Sequence, residues 1–186
     1  MRRLIVFNQV SLDGYFVDSR GDMSWAHKND AEWNAFVEGN AGGEGELVFG
    51  RVTYDLMASF WPTPHARELY PVVAERMNSL PKVVFSRTMA DAAWNNTKRV
   101  KGDPAAELEK MKAAPGPDLV ILGSGTIVAQ VAQAGLVDEY QVVVNPVVLG
   151  GGRTMFEGLT SKRALRLTKT RVFANGNVVL CYGPVG

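Results

Sequence analysis

The sequence predicts an α/β fold: a central mixed sheet, mostly parallel, with helices on both faces and antiparallel strands at the C-terminal end. Three observations carry this. Short apolar runs alternate with segments of helical character over the first four-fifths of the chain, the pattern of strand–helix units. The run Leu119-Val-Ile-Leu122 is continuously apolar, as expected of a strand covered on both faces. Residues 164–174 alternate polar with apolar and meet Asn175-Gly176, a strong hairpin signal, before a returning strand at 178–182.

The elements follow in order. Residues 4–10 form a core strand ending in the turn Ser11-Leu-Asp13-Gly14, and a polar loop extends through Asp18-Ser-Arg-Gly21-Asp22. Asn29 or Asp30 caps a helix through about Glu38, with Trp33, Phe36 and Val37 on one face. A short strand at 46–49 passes through Gly50-Arg51-Val52-Thr53 into a helix to about Ser59. Pro62 and Pro64 break that helix. A further helix spans residues 66–78, kinked near Pro71, and a third strand lies at 81–85. After a short strand at Arg99-Val100, Asp103 caps a helix that carries Pro104 in its first turn and stops before Pro115. Strand 119–122 then passes through Gly123-Ser124-Gly125 into a small-residue helix, with Thr126 placed to cap its start. A long apolar stretch, 136–148, is divided by Asn145-Pro146 and followed by the loop Leu149-Gly-Gly-Gly152-Arg153.

Composition bounds the function. The 186 residues, 46% hydrophobic and 21% charged, suit one domain, 1–186, with a substantial core. A net charge of +1 gives no broad attraction to nucleic acid or to a membrane surface. Cys181 is the lone cysteine, so no intramolecular disulfide forms. No apolar run approaches the roughly 20 residues needed to span a bilayer, and the N-terminus turns polar too early for a secretory signal. A cytoplasmic location is therefore expected. His27, His65 and Cys181 lack metal-ligand spacing, and no metal is expected.

The candidate chemistry lies at three strand ends: Gly50-Arg51-Val52-Thr53, Ser86-Arg87 and Gly123-Ser124-Gly125-Thr126-Ile127. In open α/β sheets, ligands collect beyond the carboxyl ends of strands. Two helix N-termini there favour a pyrophosphate, and Arg51 and Arg87 suit an extra phosphate. These are the parts needed to hold NADPH. Gly123-x-Gly125 lacks the third glycine of the dinucleotide fingerprint, since Val128 stands in its place, and no Walker lysine follows. Asp13 is the candidate acid. Trp25, Met57 and Trp61 are candidates for a flat-ligand pocket, and core packing explains the aromatic pair equally well.

Together these pieces resemble the dihydrofolate reductase-like superfamily. Within it the chain is similar to the reductase domain of the bifunctional riboflavin-biosynthesis deaminase–reductase and its stand-alone relatives. The matching residues are Ser11-Leu-Asp13-Gly14, Gly50-Arg51-x-Thr53, Pro81-Lys-Val-Val-Phe-Ser86-Arg87, Gly123-Ser-Gly125-Thr126, Val137-Asp-Glu139 and Asn145-Pro-Val-Val-Leu-Gly150-Gly-Gly152-Arg153-x-x-Phe156. The resemblance implies hydride transfer from NADPH, with Val10 bordering the nicotinamide. Gly50, Arg51 and Thr53 then meet the cofactor phosphates, and Ser86 and Arg87 the adenosine end. Gly123 to Ile127, including Ser124, cradle the pyrophosphate. It also implies a homodimer, and places the pterin-binding acid of the dihydrofolate reductases at Asp30 or Glu32. Two positions depart from the riboflavin-pathway pattern. Leu122 stands where an acid commonly precedes the late glycines, and Met57 where an aspartate often follows the early threonine. The expectation is an NADPH-dependent reductase of a small planar pterin-, pyrimidine- or carbonyl-type substrate. The alternatives are 5-amino-6-(5-phosphoribosylamino)uracil reductase and a non-catalytic nucleotide-binding module.

Overall fold

The computed structural model describes residues 1–185. Its first strand, β1 (Leu4–Ser11), buries Leu4, Val6 and Val10 on one face. A short β2 (Tyr15–Val17) and a 3-10 turn at Ser24–Ala26 occupy the region read as loop. α1 (Ala31–Ala41) starts at Asp30, whose carboxylate accepts the Trp33 N–H as a cap at 2.8 Å. β3 (Glu46–Gly50) passes directly into α2 (Arg51–Phe60).

The helix expected over 66–78 is instead two helices, α3 (Pro64–Leu69) and α4 (Pro71–Ser79). Pro71 lacks an N–H and its ring opposes the carbonyl four residues back, so the chain breaks at Tyr70 and does not merely kink. Pro64 starts α3, with the Thr63 side chain capping Ala66 N–H. β4 (Lys82–Phe85), β5 (Thr97–Val100), α5 (Pro104–Ala113), β6 (Leu119–Leu122) and α6 (Gly125–Gln133) follow. The chain ends in β7 (Glu139–Asn145), β8 (Arg153–Thr154), β9 (Leu165–Val172) and β10 (Val178–Pro184).

The main sheet has the order β5-β4-β3-β6-β1-β7-β10-β9. The first six strands are parallel, and β10 runs antiparallel to both β7 and β9. β2 and β8 form a separate antiparallel ribbon. At three and two residues they are too short to leave a periodicity in the sequence. β9 is an edge strand with all eight residues exposed, among them Leu165, Leu167 and Val172 beside Arg166, Lys169 and Arg171.

Helices cover both faces. α5 and α6 place Leu108, Ile127, Val128 and Val131 against Leu4, Val6 and Ile121. On the other face α2 and α4 place Tyr54, Val73 and Met77 against Leu47, Phe49 and Val84. α1 contributes Trp33 and Phe36 against Val143 and Phe173. This second layer is incomplete. Ile5, Phe7 and Gln9 of β1, with Val120 and Leu122 of β6, are only half buried although these strands are central. Strands in parallel sheets are ordinarily covered on both faces. The gap left by α1 is the space the functional site extends into.

Lys82 is an unexpected part of the core. Its ammonium is wholly buried and donates to the carbonyls of Asn78, Leu80 and Asn95 at 3.2, 2.7 and 3.0 Å. It lies 4.6 Å from the centre of the Trp94 ring. It thus ties the end of α4 to the turn before β5. Burial pushes its pKa down from 10.5 to about 8. Between those values the unfolded chain binds the proton and the native chain does not, so this group's contribution to stability rises with pH. The urea midpoint of the wild type relative to Lys82→Met is expected to move in the wild type's favour as pH is raised from about 8 towards 10. A constant difference would remove the role.

Candidate active site

A groove of about 1120 Å³ opens at the carboxyl ends of β3, β4 and β6 and continues beneath α1. Gly50, Arg51, Thr53, Ser86 and Arg87 line it, with the run Gly123, Ser124, Gly125, Thr126 and Ile127. All three strand ends singled out in the sequence therefore meet in one space. Lys101, at the end of β5, adds a fourth.

Hydrogen bonds between strands hold these ends together. Gly123 N–H donates to Asn8 Oδ1 at 2.6 Å, and Asn8 Nδ2 donates back to the Gly123 carbonyl at 3.1 Å. Gly50 N–H donates to Ser124 Oγ at 2.8 Å, and Ser124 N–H donates to Thr53 Oγ1 at 3.0 Å. The early and late glycine motifs are thus cross-linked, and the polar residue inside β1 anchors the late one. Asn8 was missed in the sequence; the available signal was an asparagine in an otherwise apolar run. Gly123 sits at φ +60°, and a Cβ there would lie 2.8 Å from Thr53 Cγ2. Ser124 takes φ +58°, a left-handed conformation costly for a residue with a side chain. Its two Oγ hydrogen bonds, to Gly50 N–H and the Leu122 carbonyl, offset that cost.

The helix starts separate by function. α1, α3 and α5 have side-chain caps from Asp30, Thr63 and Asp103. α2 and α6, which both open on the groove, have none; α4, also uncapped, follows α3 through Pro71. Free N–H groups and the positive end of the helix dipole then face the groove from two directions. Thr126 does not cap α6 as expected. The N-cap position belongs to Ser124, and the helix begins one residue before Thr126. Arg51 Nε contacts Asp55 Oδ2 at 2.6 Å, but both side chains are half exposed, so the pair is a weak competitor for an incoming phosphate. The set suits a dianionic or pyrophosphate-bearing ligand such as NADPH. Gly50 to Thr53 and Gly123 to Ile127 are the backbone stretches that could meet such phosphates, and Arg51, Arg87 and Lys101 are cations on the same lining.

The RibD C-terminal domain family matches residues 2–179. This chain belongs to the RibD C-terminal domain family. YyaP, an uncharacterized protein of Bacillus subtilis, is 28% identical over 182 residues, covering 97% of this chain and 94% of its own. A protein of Shewanella sp. PV-4 named for riboflavin biosynthesis is 25% identical, with a TM-score of 0.72 over 99% of both chains. Dihydrofolate reductase of Enterococcus faecalis, solved with NADP(H), shares the fold at 13% identity, with a TM-score of 0.63 over 99% of this chain and 97% of that one. The fold of this RibD C-terminal domain is dihydrofolate reductase-like, and its family supports a reductase-type role.

Other nominated residues stand elsewhere. Val10 does not line the groove; it points to the opposite face, into the core with Val6 and Ile127, because its β1 parity is even. Gln9 faces the groove instead. Met57 and Trp61 line it, joined by a Trp61 Nε1–H to Met57 Sδ contact of 3.2 Å. Trp25 does not; its indole N–H donates to the Asp22 carbonyl. Asp30 and Glu32, matched to a pterin-binding acid, turn to the β9–β10 hairpin. Asn175 Nδ2 donates to Asp30 at 2.7 Å, and Ala174 N–H to Glu32 at 3.2 Å. Among the described residues no three His, Cys, Asp or Glu side chains are grouped to hold a metal, and no helix is long and apolar enough to cross a membrane.

Asp13 also lies outside the groove lining. Its carboxylate accepts Leu149 N–H at 3.1 Å and Gly150 N–H at 2.7 Å. The Ser11 hydroxyl and these amides hold its pKa down at about 2. A group ionised at neutral pH is a poor proton donor there, and its position suits it to fasten the glycine-rich loop. The fastening is fully present above the ordinary carboxylate value and is lost as pH falls through about 2. Amide exchange at Leu149 and Gly150 is expected to be faster in Asp13→Ala than in the wild type at neutral pH, with the two converging near pH 2. Equal exchange at neutral pH would discard this role. Gly123→Ala is expected to lower stability by about 1–3 kcal/mol, the cost of a left-handed non-glycine residue, measurable by thermal unfolding.

Proposed function

We propose that this protein is a cytoplasmic NADPH-dependent reductase of a small planar substrate of pterin, pyrimidine or carbonyl type, acting as one domain. The observation that carries the reading is the pair of uncapped helix starts, α2 and α6, locked side by side on one groove. Family membership and a fold shared with an NADP(H)-complexed dihydrofolate reductase support it. NADPH, when bound, supplies a hydride and leaves as NADP⁺, while water completes the reduction with a proton.

The chain's own residues provide binding and exclusion. The backbone N–H groups of Gly125 and Thr126 hold the pyrophosphate with the start of α2. Arg51 and Arg87, with Lys101, grip the additional phosphate, and Ser86 borders the adenosine end. Ser86 Oγ already accepts Met89 N–H at 3.0 Å, which fixes the turn that presents Arg87. Met57 and Trp61 give the substrate an apolar wall from which water is displaced.

A second reading, reduction of a phosphoribosylaminouracil, draws on the likeness to the Shewanella protein across nearly the full length of both chains. Leu122 and Met57 weigh against it, because both line the groove as apolar surface. A nucleotide-binding module without turnover is distinguished by NADPH binding without oxidation across pterin, aminopyrimidine and carbonyl compounds. The reading also includes a homodimer through the uncovered edge of β9, since an exposed edge strand with aliphatic side chains is normally protected. Light scattering on the wild type and on Leu167→Lys tests that seam: a monomeric wild type removes it.

Fluorescence titration is expected to show NADPH binding more tightly than NADH. Arg51→Ala and Arg87→Ala should each weaken NADPH about tenfold, the loss of one charge-assisted hydrogen bond, while changing NADH little. Equal losses for both nucleotides would rule out a role at the extra phosphate. Absence of binding by either nucleotide would sink the reductase reading itself.

A further inference from the structure

We propose that the substrate is an uncharged, elongated molecule. Its carbonyl-bearing planar end lies beside Gln9, and its apolar body runs along β1 and β6 beneath α1. The reducible end rests on the reductase reading above; the binding of the apolar body does not.

The first argument is the shape of the uncovered surface. Ile5, Phe7 and Gln9 point into the groove from β1, and Val120 and Leu122 from β6. From Gln9 back to Ile5 is four residues of strand, roughly 13 Å at about 3.3 Å per residue. The space therefore reaches well beyond the carboxyl ends of the strands, towards their amino ends. Its roof is apolar: Val37 and Ala41 from α1, and Val73 and Met77 from α4.

The second argument is charge. Of the charged side chains on α1 and α4, Arg76 alone lines the groove, and it is committed to backbone. Asp30 and Glu32 bind the hairpin. Arg76 donates to the carbonyls of Ala41, Gly42 and Gly43 at the end of α1. At the far mouth the side chains are the neutral amides Asn40 and Gln141, with the acids Glu44 and Asp118 at its rim. Asp118 already accepts Arg3 N–H at 2.8 Å. An anionic tail would meet those acids, and a cationic head would find no free carboxylate beside Gln9. An uncharged ligand meets neither penalty.

The third argument fixes the polar end. Asn145 is wholly buried, and its Nδ2 donates to Gln9 Oε1 at 3.3 Å. This sets the Gln9 amide with its nitrogen as the outward group. Among the described residues Gln9 Nε2 has no hydrogen-bond partner, although Gln9 lines the groove. A free N–H donor in an otherwise apolar channel calls for a carbonyl oxygen.

Binding can be followed without cofactor through quenching of Trp61 fluorescence, with Trp61→Phe as the blank. The probes are unbranched α,β-unsaturated methyl ketones of increasing chain length, compared with dihydrofolate. Affinity for the ketones is expected to rise about fourfold per methylene and to exceed that for dihydrofolate at the longer lengths. Val120→Phe should abolish the rise while leaving NADPH titration unchanged. Gln9→Leu should weaken every ketone by about tenfold and keep the increment per methylene. Binding independent of chain length, or an unaltered increment in a folded Val120→Phe, overturns the apolar body. An unchanged affinity in Gln9→Leu overturns the carbonyl end. Failure of NADPH to bind while the ketones do would remove the reductase reading and leave the groove assignment standing.

Discussion

Everything at the ligand end of this protein depends on one small set of hydrogen bonds that ties three parallel strands at their carboxyl ends. Asn8 holds Gly123 through both the oxygen and the nitrogen of its side-chain amide, while Ser124 holds Gly50 and is held by Thr53. In a parallel sheet the strand ends carry backbone groups that the ladder no longer satisfies, and each buried unpaired group costs about 1–3 kcal/mol. Here the side chains of Asn8, Ser124 and Thr53 satisfy those groups across the gap between motifs. The starts of α2 and α6 are left open, because the N-cap of α2 is Gly50, which has no side chain, and the Ser124 hydroxyl at the N-cap of α6 is engaged with Gly50 N–H and the Leu122 carbonyl. The same bonds that close the fold therefore leave the first N–H groups of α2 and α6 without side-chain partners.

The fold was legible in the sequence wherever an element was long enough to show a period. β1, α1, α2, α5 and the C-terminal hairpin follow directly from apolar spacing and caps. The β2–β8 ribbon was not legible, since two or three residues hold no periodicity, and Phe16 on it packs against the point where Gly125 starts α6. α2 does end before Pro62 and Pro64, but Pro64 also starts α3, and Pro71, read as a kink, separates α3 from α4. At the site, glycines and arginines beside strand ends were sufficient to pick out three strand ends that line one groove. Strand parity decided the rest. Val10 and Gln9 are neighbours in sequence, but only one faces the groove, and nothing in their chemistry says which until the covering helices are placed.

The groove divides by charge along its length. Arg51, Arg87 and Lys101 stand at one end, where the helix starts add their own positive potential. Beneath α1 the cations and acids of the roof are turned outward or satisfied by backbone. Net charge for the whole chain is close to balanced, so this partition could not be read from composition. It arises because α1 needs partners at both of its ends, and takes them from Asp30, Glu32 and Arg76.

That fastening gives α1 the mechanics of a span fixed at both supports. At one end the turn between β9 and β10 grips Asp30 and Glu32; at the other Arg76 gathers the carbonyls of residues 41–43. A helix pinned in this way resists lifting as a rigid lid. The support at the start of α1 comes from 145 positions further along the chain. The roof over the groove is thus held in part by Asn175 and Ala174, residues that do not line it.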